Sequence, residues 1–347
     1  MPDLRLSFSM TPYDRVRPLI TGEVKPQDIA LEFTRMASPD IFYQQSKFSR
    51  FDVSEMSMSA YLIARAKGWP YRMLPVFHNR AFFYTGLLVR RGAGIKRPED
   101  LKGKRFGFAE YAQSAALWTR GILQHEFGVR PEDMVWYQER TPRFSHSGPA
   151  GFRPPPGVRL HYAQKDLMTM MLQDELDVAL PQRGAAMDRP KEDLSASRKL
   201  QRLFRDPKAE AIRYYRKTGV FPIQHITVVR ESILKEHPWV AASLMDAFER
   251  AKMAVLGELF GFHGFIGFHA GHNSLLVFGG QELTEQRQLF GYDPYPYGIR
   301  ANAREIDLAQ TFSAEQGLTP RKQPWEDIFP EETLIAEEQQ GPLRPAS

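Results

Sequence analysis

Residues 214–229 read YYRKTGVFPIQHITVV. The second half, Ile223–Val229, is rich in β-branched residues and reads as a buried strand. The first half carries two tyrosines, Arg216 and Lys217, and the join holds Gly219, Pro222 and His225. A cation cluster and an imidazole thus stand one short step from a core strand. They form either a solvated basic turn or the wall of a pocket for an anion.

Working outward, strand-like and helix-like segments alternate. LRLSFSM (4–10) and IALEFTRM (29–36) read as strands, and Ser38-Pro39-Asp40 opens a helix with Ser38 as N-cap. FDVSEM (51–56) is a strand turning into a helix that stops at Gly68, RMLPVF (72–77) is another strand, and AFFYTGLLVRR (81–91) is a long β-rich run. A second unit starts near Gly94, with strands at 105–108, 135–139 and 177–180 and a helix over 114–127 closed by Gly128. This alternation predicts an α/β architecture with parallel sheets. With 347 residues, two lobes are expected. Lobe 1 comprises residues 1–90 and 225–347, and lobe 2 comprises 91–224. Two hinge crossings join them, near 87–91 and 219–225, with a ligand cleft between the lobes.

Composition narrows the partners. The net charge of +5 is spread along the chain among 41 acids, with no arginine-rich run or zinc-finger spacing. Nucleic acid is therefore not an expected partner, whereas an acidic small molecule suits the charge. There is no cysteine, which excludes disulfides and thiolate-ligated metals. The first residues lack an apolar stretch of signal-peptide length, and 253–280 is interrupted by Glu258, three histidines and seven glycines. The expectation is a cytoplasmic protein with no membrane partner. The Phe-rich segment 257–280 suggests a homo-oligomer contact. His263, His269 and His272 within it are a weak candidate for a divalent metal, with no carboxylate among them.

Several runs, in order along nearly the whole chain, resemble the 4,5-dihydroxyphthalate decarboxylase family. They are FDVSEMSMSAY (51–61), PVFHNRAFF (75–83), IKRPEDLKGKRFGFAEYAQSAALWTRG (95–121), YYRKTGVFPIQHITVVR (214–230), HPWVAASLMDAF (237–248), GYDPYPYG (291–298) and EQGLTPRKQPWEDIFPEETL (315–334). The resemblance implies a two-lobed type II periplasmic-binding-protein-like fold with two hinge crossings. It also implies cofactor-independent decarboxylation of a hydroxylated aromatic dicarboxylate in phthalate degradation, most simply 4,5-dihydroxyphthalate to protocatechuate and CO2. Two alternatives share the fold: a non-catalytic substrate-binding protein for an aromatic carboxylate, and a decarboxylase of a related aromatic or heterocyclic acid.

Such a reaction needs a base near the ring hydroxyls, an acid at the ring carbon and cations for the carboxylates. His225 is the expected base, with His78 as a second candidate. Glu110, after the strand 105–108, is the expected acid. Arg80, Arg120 and Arg216 are candidate carboxylate forks. Ser57 and Ser59 open one helix and Ser114 another, where hydroxyls and free N–H groups meet an anion. Tyr111, Asp293, Tyr295 and Tyr297 complete the expected lining.

Overall fold

The computed structural model describes residues 3–143, 145, 154–181, 197–263, 276 and 278–340, with backbone only at 261–263. Two sheets organise it. The first contains β1 (Leu4–Ser9), β2 (Ile29–Phe33), β3 (Val53–Ser57), β4 (Tyr71–Arg80) and, from far along the chain, β11 (Ile223–Arg230), in the order β2-β1-β3-β11-β4. The second contains β5 (Leu88–Arg90), β6 (Arg105–Phe108), β7 (Val135–Gln138), β8 (Arg159–Tyr162), β9 (Val178–Ala179) and β10 (Leu200–Arg202), in the order β10-β5-β9-β6-β7-β8. In each sheet one group of neighbours runs parallel. β11 lies antiparallel between β3 and β4, and β5 antiparallel beside β9. The chain therefore passes between sheets twice, at 81–87 and at 219–222.

Six helices position the cleft and its surroundings: α1 (Ser38–Phe48), α2 (Met58–Arg65), α3 (Ser114–Phe127), α4 (Pro207–Thr218), α5 (Val240–His263) and α6 (Ala303–Glu315). No helix among the described residues is long and apolar enough to cross a membrane.

The stretch 214–229 resolves into two elements. Asp206 accepts a hydrogen bond from Ala209 N at 2.9 Å, Pro207 takes the first helical position, and α4 runs to Thr218. Gly219, at φ 66°, closes it, its N–H bonding Tyr215 O. Arg216 and Lys217 therefore occupy the last helical turn, where cations offset the carbonyl end of the dipole. The β-rich run 81–91 is shorter in strand than its composition predicts. β4 extends through His78, Asn79 and Arg80, paired irregularly with β11, and Phe83–Gly86 forms a 3-10 turn before β5. Propensity marked these residues as extended, but the turn between sheets leaves no partner strand for them.

The two sheets share one apolar core. Met56, Phe77 and Ile226 from the first sheet and Phe106, Trp136 and Val178 from the second lie in the same buried cluster as Trp118, Ile122 and Phe312. Helix α3 is the shared element. Trp118 Nε1 donates to Ile223 O at 2.7 Å, and Gln316 Nε2, just past α6, donates to Leu117 O at 3.0 Å. The approach of α3 to α6 is so close that a Cβ at Gly121 would run into the Phe312 ring.

On the far face of β4, His78 is buried without exposure, its Nε2 paired with Thr227 Oγ1 at 2.5 Å. Burial disfavours its imidazolium and pushes its pKa down to about 3.

Two stability measurements test these packings. Gly121→Ala should destabilise by about 1–3 kcal/mol through overpacking, read as a lower Tm in thermal denaturation. For His78, the unfolded chain takes a proton as pH falls below about 6.5 while the folded one does not until about 3. Its contribution is therefore complete above pH 6.5 and declines through the acid range. His78→Gln should retain about 2 kcal/mol more of its neutral-pH stability than the parent on going to pH 5. Identical losses in the two proteins would contradict the burial argument.

Candidate active site

A cavity of about 280 Å3 lies between the lobes, near the lower end of the range for small-molecule sites. From the first sheet and α1 come Ser38, Pro39, Phe42, Ser57, Asn79, Gln224 and His225, and from the second sheet's side and the first crossing Phe83, Gln113, Ser114, Arg140 and Pro181. The sequence explains the convergence. α1 and α3 each begin at the cavity with no side chain capping their first N–H groups. Ser57 caps α2 at the end of β3, its Oγ accepting from Ala60 N. Helix N-termini carry partial positive charge and unpaired donors, so this is an anion-binding geometry. Ser57 Oγ and Ser114 Oγ meet across the two lobes at 2.9 Å, and Ser59 N donates to Ser114 Oγ at 3.0 Å.

Arg140 is the cation of the cavity. It stands at the carboxyl end of β7, is 4% exposed, and pairs with Glu110 Oε2 at 2.6 Å. Glu110 also accepts from Ser145 Oγ, so it braces the guanidinium from behind. The strand ends of a parallel sheet are where ligands collect in α/β folds.

His225 faces the same space from β11, directly across the ladder from Ser57. Its Nδ1 lies 2.5 Å from Glu55 Oε1 and 3.1 Å from Tyr13 Oη. Phe42 packs edge-on against its ring at 4.8 Å. Its Nε2 has no hydrogen-bond partner among the described residues. Glu55 is fully buried in β3 and also accepts from Tyr13 Oη at 2.7 Å and Thr11 N at 2.8 Å. Burial alone would raise this carboxyl, but the His225 charge and the three hydrogen bonds prevail and hold it at about 2. Burial and the adjacent carboxylate push the Tyr13 phenol well above its ordinary range, so it remains a donor.

Of the residues singled out in the sequence, the cavity gathers His225, Ser57 and Ser114. Ser59 lies just behind, at the start of α2, and Glu110 sits behind Arg140. Tyr111, in the turn before α3, and Arg120, on α3, are both buried: the Arg120 guanidinium stacks 3.6 Å over the Tyr111 ring and is held by Gln316 Oε1 and Tyr111 O. On the face of β4 away from the cavity, His78 stacks on Tyr13 at 6.0 Å, beside the Glu55–His225 pair, and Arg80 is fixed by Phe221 O, Pro296 O and Asn302 Oδ1. On that face Asp293 binds Lys252 at 2.5 Å, and Tyr297 lies under the same ammonium at 4.0 Å. Tyr295 faces Arg15. Arg216 is exposed on α4, away from the cavity. The side chain of His263, and all of His269 and His272, lie outside the described residues, among which no cluster of three metal-ligating side chains occurs.

Sequence reasoning missed Glu55, Tyr13, Arg140, Asn79 and Gln224. Two of them had a signal. An acid in the middle of the apolar run VSEMS must find a buried partner, and Arg140 follows a parallel strand at its ligand-facing end. A larger hollow of about 1080 Å3 lies on the far side of the second crossing, lined by Arg80, Tyr215, Phe221 and Arg304 among others. Among the described residues no histidine lines it, and its Asp307 and Lys322 pair with each other.

Comparison with known proteins places this architecture. A family model described as the periplasmic substrate-binding protein of a phosphonate ABC transporter matches residues 22–149. The periplasmic aliphatic sulphonate binding protein SsuA of Escherichia coli superposes with a TM-score of 0.54 at 13% identity, covering 96% of this chain and 99% of that one. A ligand-binding component of an ABC-type import system from Staphylococcus aureus gives 0.50 at 11% identity, over 94% and 96% of the two chains. These likenesses show the two-lobed binding-protein fold. In sequence, the 4,5-dihydroxyphthalate decarboxylase of Comamonas testosteroni is 31% identical over 335 residues, spanning 95% of this chain and 98% of the relative. A protein of the same name from Pseudomonas putida is 31% identical over 219 residues, 62% of this chain and 83% of its own length. On a binding-protein scaffold whose cleft presents a carboxylate-backed imidazole, with that similarity running almost end to end, the chain belongs to the 4,5-dihydroxyphthalate decarboxylase family.

Proposed function

We propose that this protein decarboxylates a hydroxylated aromatic dicarboxylate in the interlobe cavity, most simply 4,5-dihydroxyphthalate to protocatechuate and CO2. The observation that carries the reading is the open Nε2 of His225, facing a space where Arg140 and the N-termini of α1 and α3 meet.

The chemistry is set by where charge must go. In 4,5-dihydroxyphthalate each carboxylate is para to a hydroxyl. Transfer of that hydroxyl's proton to His225 Nε2 pushes an electron pair toward the ring carbon bearing the carboxylate. That carbon takes a proton from solvent, the carbon–carbon bond breaks, CO2 leaves, and the bonding pair restores the aromatic ring. The product phenolate takes back the imidazolium's proton, so each turnover consumes one proton and releases one CO2. Arg140 and the α3 N-terminus hold the carboxylate that stays, where a guanidinium fork fixes direction as well as charge. Phe42, Phe83 and Pro181 supply apolar walls that limit water.

His225 is the one imidazole among the lining side chains, and imidazole is the side chain suited to both accepting and returning a proton near neutrality. Removal of the hydroxyl's proton and its return to the product are therefore assigned to it. Glu110, expected from sequence to be the acid, instead supports Arg140. The reaction as written uses no cofactor and no metal.

The fold is shared with solute-binding proteins, and that favours a second reading, binding of the same ligand class without chemistry. One assay separates the two. Purified protein is mixed with a panel of hydroxylated phthalates and benzoates, and CO2 is followed with and without a chelator. Release from a para-hydroxylated dicarboxylate, unchanged by chelator, is expected; tight binding with no release from any member would establish the binding reading. His225→Asn should lower kcat by about 10²–10⁴-fold while substrate affinity, read by calorimetry, stays within about threefold. Arg140→Gln should weaken binding by about 10–100-fold, the scale of a lost charged hydrogen bond.

A further inference from the structure

Glu55 has no access to the cavity. It lies in a central strand with no side-chain exposure, and nothing in the bond-breaking step requires it to touch substrate. Yet every oxygen interaction it makes is specific. Oε2 takes Thr11 N, and Oε1 takes both Tyr13 Oη and His225 Nδ1. A buried carboxylate costs several kcal/mol unless paired and hydrogen-bonded, and an apolar residue in β3 would fill the space without that cost. A structural role alone does not account for an ionised group that meets the cavity's imidazole on its inner nitrogen.

We propose that Glu55 is a positioning residue for catalysis: it keeps the proton of His225 on Nδ1, and thereby presents Nε2 to the cleft as the proton-accepting atom. Tyr13 and the backbone of Thr11 hold the carboxylate in the one orientation that does this, and Phe42 fixes the plane of the ring. The phenol of Tyr13 faces the same nitrogen at 3.1 Å. As a donor already engaged with Glu55, it cannot take the Nδ1 position as an acceptor of comparable strength. An imidazole with its proton on the wrong nitrogen would offer a donor to the substrate hydroxyl and could not remove its proton. The inference rests on His225 being the proton-transfer group of the cleft, and it adds the device that sets which of its two nitrogens works.

The test separates that device from the reaction. In protein labelled with 15N-histidine and free of any ligand, two-bond 1H–15N correlation spectra report the tautomer of each ring. At a pH where the His225 ring is neutral, its resonances, assigned by their loss in His225→Asn, should show the Nδ1–H form. In Glu55→Gln the amide can donate to Nδ1, and the spectrum should move toward the Nε2–H form. With 4,5-dihydroxyphthalate as substrate, the same variant should lose about 10²–10⁴-fold in kcat with KM within about threefold. Glu55→Asp should recover part of kcat together with the Nδ1–H form. An Nε2–H tautomer in the parent protein overturns the proposal whether or not the variants fold. So does a Glu55→Gln variant that keeps either the parent tautomer or kcat within about threefold. Absence of turnover by the parent would remove the decarboxylase reading but leave the tautomer result standing on its own.

Discussion

The constraint on which the first lobe depends is a negative charge placed where water cannot reach it. Glu55 sits in β3 among residues buried on both faces. The fold must bring it donors or unfold around it. It brings three, from two places in the chain: the loop after β1 supplies Thr11 N and Tyr13 Oη, and β11 supplies His225. Meeting that demand draws residues more than a hundred positions apart to one point and leaves an imidazole edge-on at the interlobe space. The position of the cavity's histidine is thus partly a by-product of electrostatic compensation inside the sheet.

The second lobe contributes by a different route. Its buried pair, Arg140 and Glu110, is local to two adjacent strand ends, and its helix α3 does the reaching. One end of α3 opens on the cavity and the other lies in apolar packing against α6 and β11. Two lobes with separate sheets therefore share a single core on one side. The shared packing lies on the side of the cleft nearest α3.

The sequence carried the architecture because architecture is periodic. Alternation in LRLSFSM, the proline-marked start at Ser38-Pro39 and the stop at Gly128 are local signals, and each marks an element found in the fold, although Ser38, read as the N-cap, is the first residue of its helix and Ala37 is the N-cap, with no side chain capping it. Site residues were legible only where they coincide with such signals: Ser57 and Ser114 at helix starts, and His225 where a polar group enters an apolar strand. Arg140 and Tyr13 gain their meaning from partners distant in sequence, and no window shows that. Arg216 stood out for a reason that proved local, since a basic last turn stabilises a helix end wherever that end lies. Arg80 and Arg120 are buried cations too, but carbonyl and amide oxygens already hold their guanidinium groups. Composition cannot distinguish a guanidinium placed there from one that lines the cavity, as Arg140 does.

Gly121 has a reach that its size conceals. It lies two turns along α3 from Ser114, about 10 Å from the cavity at 1.5 Å per residue, and it lets the helix rest directly on the Phe312 ring. A rod seated at one end transmits any shim placed there to its other end. Drift at 121 or 312 would thus slide the donors of Ser114 and its neighbours relative to His225, and natural selection acting on substrate handling would police an aromatic ring that no substrate ever meets.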